Sequence, residues 1–98
     1  MIDCKSLAEV RENIDRLDCR IVELLAERTL FVEQAGKLKA SKSQVVDRER
    51  IEAVIRKVRH EAMECGMDAG LVENIYRSMI DAFIIYESQI WRRFHEGA

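Results

Sequence analysis

The N-terminal third of the sequence carries the most regular pattern of apolar residues in the chain. These residues recur at alternating spacings of three and four, as at the a and d positions of a helix that packs lengthwise against other helices. Ser6 and Glu9 form a capping box at the start, and only Gly36, which helices tolerate, interrupts the series before Lys39. The pattern predicts one helix from Ser6 to Lys39. Its seam consists of Leu7, Val10, Ile14, Leu17, Ile21, Leu24, Arg28, Phe31, Ala35 and Leu38.

Two further apolar stripes predict two more helices. The second helix runs from about Asp47 to Cys65, and Gly66 supplies its C-terminal stop. The third begins at the cap residue Asp68 and continues to about His95. The linker of residues 41–44 is expected to be the most mobile segment. The predicted fold class is therefore all-α, with three helices in a single domain that covers residues 1–98.

The predicted first helix is too long for one small chain to cover. Its residues span about 50 Å at a rise of roughly 1.5 Å per residue. A compact chain of 98 residues has a radius of gyration of only about 13 Å. The two following helices cannot bury such a seam from end to end. We therefore expect a second copy of the chain to bury the rest, most simply in a two-fold homodimer.

Composition narrows the class of function. The net charge is -2 and basic residues are interspersed with acidic ones, so no nucleic-acid partner is expected. No apolar run approaches a membrane span, so we expect a cytoplasmic protein without membrane contact. The cysteines Cys4, Cys19 and Cys65 lack metal-binding spacing, and the two histidines lie far apart. Neither a metal site nor a cofactor is expected, and the cysteines are expected to stay reduced.

Cationic side chains occupy unusual positions on the first predicted helix. Arg28 lies on the seam, and an arginine is rarely buried without an anion nearby. Lys39 lies about three turns further on the same face, roughly 16 Å away, with Val32 and Ala35 between them. Together they form a candidate clamp for a compact dianion. Arg11 lies roughly 25 Å from Arg28 on the same helix, so only a dimer would bring both to one ligand. The alternative interpretation of Arg28 is an ion pair with an acidic residue of the partner chain, or a head group lifted out of the seam.

Glu87 is an acidic residue on an apolar stripe. Phe83, Ile84, Ile90 and Trp91 surround it on the helix and direct its carboxyl into the core. One interpretation is a structural ion pair with a buried arginine. The other is a protonated carboxyl that donates a hydrogen bond to a ligand. A separate charge run opens the second helix, and one or two of its members are expected to face the ligand: Asp47, Arg48, Glu49 and Arg50.

These motifs make the sequence similar to the all-α chorismate mutase family. The resemblance covers essentially the whole chain and implies an intertwined homodimer with two equivalent sites. Each site would be built mainly from one chain and completed by an arginine of the other. The segments that carry the resemblance are residues 7–11 (L-x-x-x-R), Ile14 with Leu17 and Asp18, residues 24–39 (LLAERxxxVxxxGKxK), Val45 with Asp47 and Arg50, and residues 67–69.

The resemblance also implies a role for each candidate residue. Arg28 and Lys39 would bind a substrate carboxylate and the ether oxygen, and Glu87 stands where a glutamine commonly faces that oxygen. These three are the candidate catalytic residues.

Three further residues are implied to bind substrate. Arg11 would reach in from the partner subunit, Asp47 would line the site, and Arg50 would hold a carboxylate. Arg48 is the alternative to Arg50. We prefer Arg50 because it keeps the family's distance to Met67 without a gap.

The implied substrate is a small dianionic enolpyruvyl ether, chorismate or isochorismate. Chorismate rearranges to prephenate in one concerted step without nucleophile, metal or proton transfer, so cations and one hydrogen-bond donor suffice. Chorismate mutase is therefore the first expected function, and Asp47 favours it. The alternative is the isochorismate-pyruvate lyase branch, which makes salicylate and pyruvate; residues 14–22, 39–41 and 91–92 resemble it. Ile51 also favours the lyase, because mutases have a carboxylate there for the substrate hydroxyl. A third hypothesis is a non-catalytic helical dimer whose cations pair with acidic residues.

Overall fold

The computed structural model describes residues 2–97, which form three α-helices and one short 3-10 turn. Helix α1 spans Leu7–Leu38, α2 spans Arg48–Cys65 and α3 spans Ala69–Glu96, while the 3-10 turn spans Lys42–Val45. The predicted all-α class is confirmed, and each predicted helix end lies within one residue of the observed one. Within the described residues, no helix combines the length and apolarity that crossing a bilayer requires.

The chain divides into two compact units, one up to Phe31 and one from Val32 onward. In the first unit, the Ser6 hydroxyl accepts a hydrogen bond from the Glu9 amide at 3.2 Å, while the Glu9 carboxylate accepts one from the Lys5 amide at 2.9 Å. The cap therefore forms, with the return bond one residue earlier than in a standard capping box.

The apolar seam residues of the first unit remain open to solvent. Their exposed fractions run from 38% at Val10 to 64% at Leu24. Soluble proteins rarely leave a continuous apolar stripe of this kind uncovered. Such exposure is expected of a single chain, because the first helix is too long for the other two helices to cover from end to end.

In the second unit, α2 and α3 pack against each other across a short connection. Gly66 ends α2 with a φ of 75°, a left-handed conformation that favours glycine, and its amide bonds to the carbonyls of Ala62 and Met63. Asp68 then starts α3 by accepting a hydrogen bond from the Leu71 amide at 2.9 Å. Buried apolar side chains form the small core of this unit: Val45, Ile55, Ala62 and Ile80.

Charged side chains also link α2 to α3. The guanidinium of Arg77 bonds to Glu52 through both terminal nitrogens, at 3.0 and 3.1 Å, and to Glu73 through Nε at 2.8 Å. Arg59 adds a 2.7 Å bond to Glu73. The hydrogen bonds from Arg77 lower the pKa of both carboxyls below the ordinary glutamate value.

The linker between α1 and α2 forms hydrogen bonds of its own, and the expectation that residues 41–44 are the most mobile segment stays a prediction. The side-chain oxygen of Gln44 accepts hydrogen bonds from the backbone amides of Ala40 and Ser41, at 2.7 and 3.3 Å. The backbone amide of Gln44 donates to the Ser41 carbonyl. Val45 is buried, with 5% of its surface exposed. Local hydrogen bonds and one apolar anchor therefore give the linker a defined conformation, which polar composition alone did not indicate.

Candidate active site

An open groove of about 720 Å³ lies where α1 ends and α2 begins. This volume falls within the range of roughly 300–1,000 Å³ that is usual for small-molecule sites. The groove brings Lys39 together with Asp47 and Arg48, three residues that sequence analysis had singled out. Its full lining is Ala35, Leu38 and Lys39 from the end of α1, Ser43, Gln44 and Val46 from the linker, and Asp47, Arg48 and Glu49 from the start of α2.

Lys39 forms an ion pair with Glu87 from α3. Lys39 Nζ lies 2.6 Å from Glu87 Oε2, and 27% and 10% of the two side chains are exposed, respectively. Of the two interpretations of Glu87, the structure shows the ion pair. Its partner is a lysine and not the expected arginine. A charge-assisted bond between such shielded groups holds both side chains in place more firmly than a neutral one.

The close approach of α1 to α3 at this point depends on Gly36. It is the buried residue of α1, and a Cβ atom built on it would lie 3.2 Å from Ile90 Cγ2 and 3.3 Å from Glu87 Cγ. Both distances are shorter than ordinary carbon contacts of about 3.5–4.0 Å. Gly36 therefore lets the backbone of α1 rest directly on α3 beside Glu87. The sequence showed this glycine only as a tolerated interruption.

Two hydrogen bonds that the sequence did not reveal also join α3 to the end of α1. Trp91 Nε1 donates to the Lys39 carbonyl at 3.1 Å, and the Tyr86 hydroxyl donates to Glu33 Oε1 at 2.5 Å. The bond to the Glu33 carboxylate raises the pKa of Tyr86. The bond from Trp91 could have been expected from the sequence. A tryptophan N–H in a protein interior usually finds an acceptor, and the last carbonyls of a helix lack intrahelical partners.

At the start of α2, Asp47 has a structural task in addition to its place in the groove. Its Oδ1 accepts a hydrogen bond from the Arg50 amide at 3.0 Å and so caps the helix. Of the two arginines proposed for this position, Arg48 lines the groove, and Arg50 is not among the lining residues of the described chain. Which of the two arginines binds substrate stays a prediction.

Arg28 and Arg11 belong to the other unit, the one that ends at Phe31. Arg28 is half-buried, and its Nη1 atom is shielded from solvent. Arg11 is exposed. The clamp of Arg28 with Lys39, and the contribution of Arg11 across a dimer, stay predictions.

The chemistry that this arrangement offers is electrostatic. The residues that line the groove include two cationic ones, Lys39 and Arg48, and two acidic ones, Asp47 and Glu49. Within residues 2–97, no three His, Cys, Asp or Glu side chains come together in a way that would hold a metal ion. The side chains of Lys39 and Arg48 are of the type that binds an anion and stabilises charge that develops on an oxygen atom.

Comparison with known proteins identifies the family. The family model described as chorismate mutase type II matches residues 10–88, which is most of the chain. The chain belongs to the chorismate mutase type II family. The resemblance found in the sequence is thereby confirmed, and the chain is a member of a family of enzymes. The matched segment contains every candidate site residue: Arg11, Arg28, Lys39, Asp47, Arg48, Arg50 and Glu87.

Two relatives of this chorismate mutase-type chain differ in how much of their own length the chain matches. The isochorismate pyruvate lyase of Pseudomonas aeruginosa is 36% identical over 96 residues, which cover 98% of this chain and 95% of that protein. The T-protein of Haemophilus influenzae is 31% identical over 86 residues, which cover 87% of this chain but 23% of that protein. The chain is thus similar to nearly the whole of the first relative and to about a quarter of the second.

Proposed function

We propose that this chain breaks the enolpyruvyl ether bond of a chorismate-type dianion by a pericyclic reaction. The observation that carries the proposal is Lys39, a residue that lines the groove and whose ammonium is anchored 2.6 Å from the buried Glu87. In a family named for a pericyclic rearrangement, a fixed cation beside a groove of small-molecule size is the expected catalytic element.

Each candidate residue has a task in this reaction. As the ether bond breaks, negative charge builds up on its oxygen, and Lys39 would stabilise that charge. Arg28 and one arginine at the start of α2, Arg48 or Arg50, would bind the two substrate carboxylates and hold the reactive conformer. The reaction requires no covalent intermediate with the protein.

Glu87 has two protonation states with opposite effects on the ether oxygen. As a carboxylate it holds Lys39 in place, but it repels negative charge that develops nearby. As a protonated acid it would itself donate a hydrogen bond to the oxygen. We therefore propose that a neutral hydrogen-bond donor in place of the Glu87 carboxylate makes the reaction faster.

Of the two possible reactions, we place the isochorismate-pyruvate lyase first. The Pseudomonas aeruginosa relative, which matches this chain over 95% of its own length, is named isochorismate pyruvate lyase. In addition, Ile51 offers no carboxylate to a substrate hydroxyl. Asp47, which had favoured the mutase, has a sufficient explanation as the cap of α2. In the lyase reaction the ether C–O bond breaks and a ring hydrogen moves to the methylene carbon of the enolpyruvyl group, which yields salicylate and pyruvate.

Chorismate mutase remains the second candidate, because the matching family model bears that name. Here the same C–O bond breaks while the methylene carbon forms a new bond to the ring, so no atom leaves. Both reactions use the same dianion site and the same charge on the ether oxygen. The groove alone does not separate them.

We also propose that the working form is a homodimer. The exposed apolar seam of α1 supports it, as does the physical argument that such a stripe is unstable in water. In this dimer, Arg11 of the partner subunit would complete each site.

Product identification tests the proposed function. The protein is incubated separately with isochorismate and with chorismate, and the products are separated and quantified. Lys39→Ala serves as the inactive variant, and Lys42→Ala, which removes a lysine that does not line the groove, is its matched control. Salicylate with pyruvate from isochorismate supports the lyase, and prephenate from chorismate supports the mutase. If neither substrate is converted, the chain is a non-catalytic helical module and the proposal fails.

A further inference from the structure

The residue proposed to act on the ether oxygen is held at two points by one face of α3. Lys39 directly follows the last residue of α1, at a helix end where backbone carbonyls lack intrahelical partners. Trp91 Nε1 donates to the Lys39 carbonyl at 3.1 Å, and Glu87 binds the Lys39 ammonium at 2.6 Å. Glu87 and Trp91 are four residues apart, so they lie one above the other on the helix surface. One side chain thus fixes the backbone of Lys39 and the other fixes its tip.

We propose that Trp91 is a positioning residue for Lys39, an inference that rests on the proposed function. A lysine side chain has several rotatable bonds, so a contact at its ammonium alone leaves the start of the side chain free to move with a fraying helix end. The Trp91 bond removes that freedom because it ties the Lys39 carbonyl to α3, the helix that also carries Glu87. A displacement of about 1 Å at a catalytic group can lower a rate by roughly a hundredfold.

The orientation of Trp91 is itself fixed by its surroundings. Its ring stacks on His95, with centroids 4.6 Å apart and an interplanar angle of 27°. The preceding residue, Ile90, contacts the position of Gly36, where α1 rests on α3. The stack on His95 restricts the orientation of the indole, whose N–H donates to the Lys39 carbonyl.

Because Trp91 is the one tryptophan in the sequence, its N–H can be removed without changing the shape of the ring. Expression in a tryptophan auxotroph supplied with benzothienylalanine replaces the indole by a benzothiophene, in which sulfur stands in place of N–H. We expect kcat to fall roughly 10- to 100-fold with KM nearly unchanged. Phe94→Leu is the control, since Phe94 lies in the same aromatic cluster but has no bond to Lys39. This variant should keep the parent's kcat.

A second readout does not depend on activity. In protein labelled with nitrogen-15 lysine, the Lys39 ammonium should give a slowly exchanging signal in the parent because Glu87 shields it, and Lys39→Arg identifies that signal by its loss. The benzothiophene protein should show a weaker, faster-exchanging Lys39 signal. If the parent converts neither substrate, the proposed function fails while this signal still tests Trp91. An unchanged ammonium signal overturns the positioning role, whether kcat stays at the parent's value or falls together with thermal stability.

Discussion

Glu87→Gln separates the structural from the chemical role of the buried carboxyl. The substitution keeps the size of the side chain and leaves an amide oxygen that can still accept a hydrogen bond from Lys39. It removes the negative charge and adds an N–H donor. Stability and activity should therefore change in opposite directions.

The loss of stability should be small. A hydrogen bond to a charged group contributes about 1.5–3 kcal/mol and a neutral one about 0.5–1.5 kcal/mol, so the difference is about 1 kcal/mol. Removing a partner from a fully buried ion pair costs more, about 3–5 kcal/mol, but 27% of the Lys39 side chain is exposed and water can solvate its charge. A loss of about 1 kcal/mol corresponds to a fall in Tm of roughly 4–8 °C for a domain of this size.

The gain in activity should appear at neutral pH. An ionised Glu87 opposes negative charge on the ether oxygen, whereas the amide of the variant donates to it. We expect kcat/KM of Glu87→Gln to exceed the parent's roughly tenfold at pH 7, which corresponds to about 1.4 kcal/mol of transition-state stabilisation.

The assay is kcat/KM from pH 4 to 9 for both proteins, on whichever substrate is converted, together with thermal unfolding. Glu64→Gln is the control, because it makes the same chemical change at an exposed carboxyl and should alter neither quantity. A kcat/KM of the Gln variant no higher than the parent's at pH 7 would show that Glu87 is only the structural partner of Lys39.

Three further predictions concern other parts of the structure. Gly36→Ala should lower the midpoint of urea unfolding. The added methyl group destabilises the fold by about 1–3 kcal/mol through overpacking against α3, whereas the higher helix propensity of alanine stabilises it by only about 1 kcal/mol. A higher midpoint would contradict the tight contact. Arg28→Ala should retain the far-UV spectrum of a helical protein but lower kcat/KM about a hundredfold or more, and activity within a few fold of the parent would remove it from the site. The hydrogen bonds from Arg77 lower the pKa of Glu73, so their stabilisation is present above the ordinary glutamate value of 4.5 and is lost as the pH falls through the lower folded value. The difference in urea midpoint between the parent and Arg77→Met should therefore be present at pH 7 and shrink as the pH is lowered below 4.5, and a difference that does not change with pH would refute this.

The helices could be predicted from the sequence because their signals are local. Spacing of apolar residues, the cap at Asp68 and the stop at Gly66 act within a few residues of each helix end. The conformation of the linker was not predicted, because it depends on the Gln44 side chain folding back on the preceding backbone.

The candidate site was only partly predictable, because its contacts join residues far apart in the sequence. Lys39 and Glu87 each stood out as a charge in an unusual position, yet their pairing depends on how closely α1 approaches α3. That distance is set by Gly36, whose missing side chain leaves no signal in an apolar pattern. The apolar pattern likewise predicted Trp91 only as a core residue, although its N–H donates a hydrogen bond to the backbone carbonyl of Lys39.

Calorimetric titration with a bicyclic dicarboxylate that mimics the pericyclic transition state tests the central claim most directly. The claim is that Lys39 and its groove form the site for a chorismate-type dianion. The parent and Lys42→Ala should bind one mimic per chain with the same affinity, and Lys39→Ala should bind it at least a hundredfold more weakly. No binding by the parent, or equal binding by Lys39→Ala, would contradict the account.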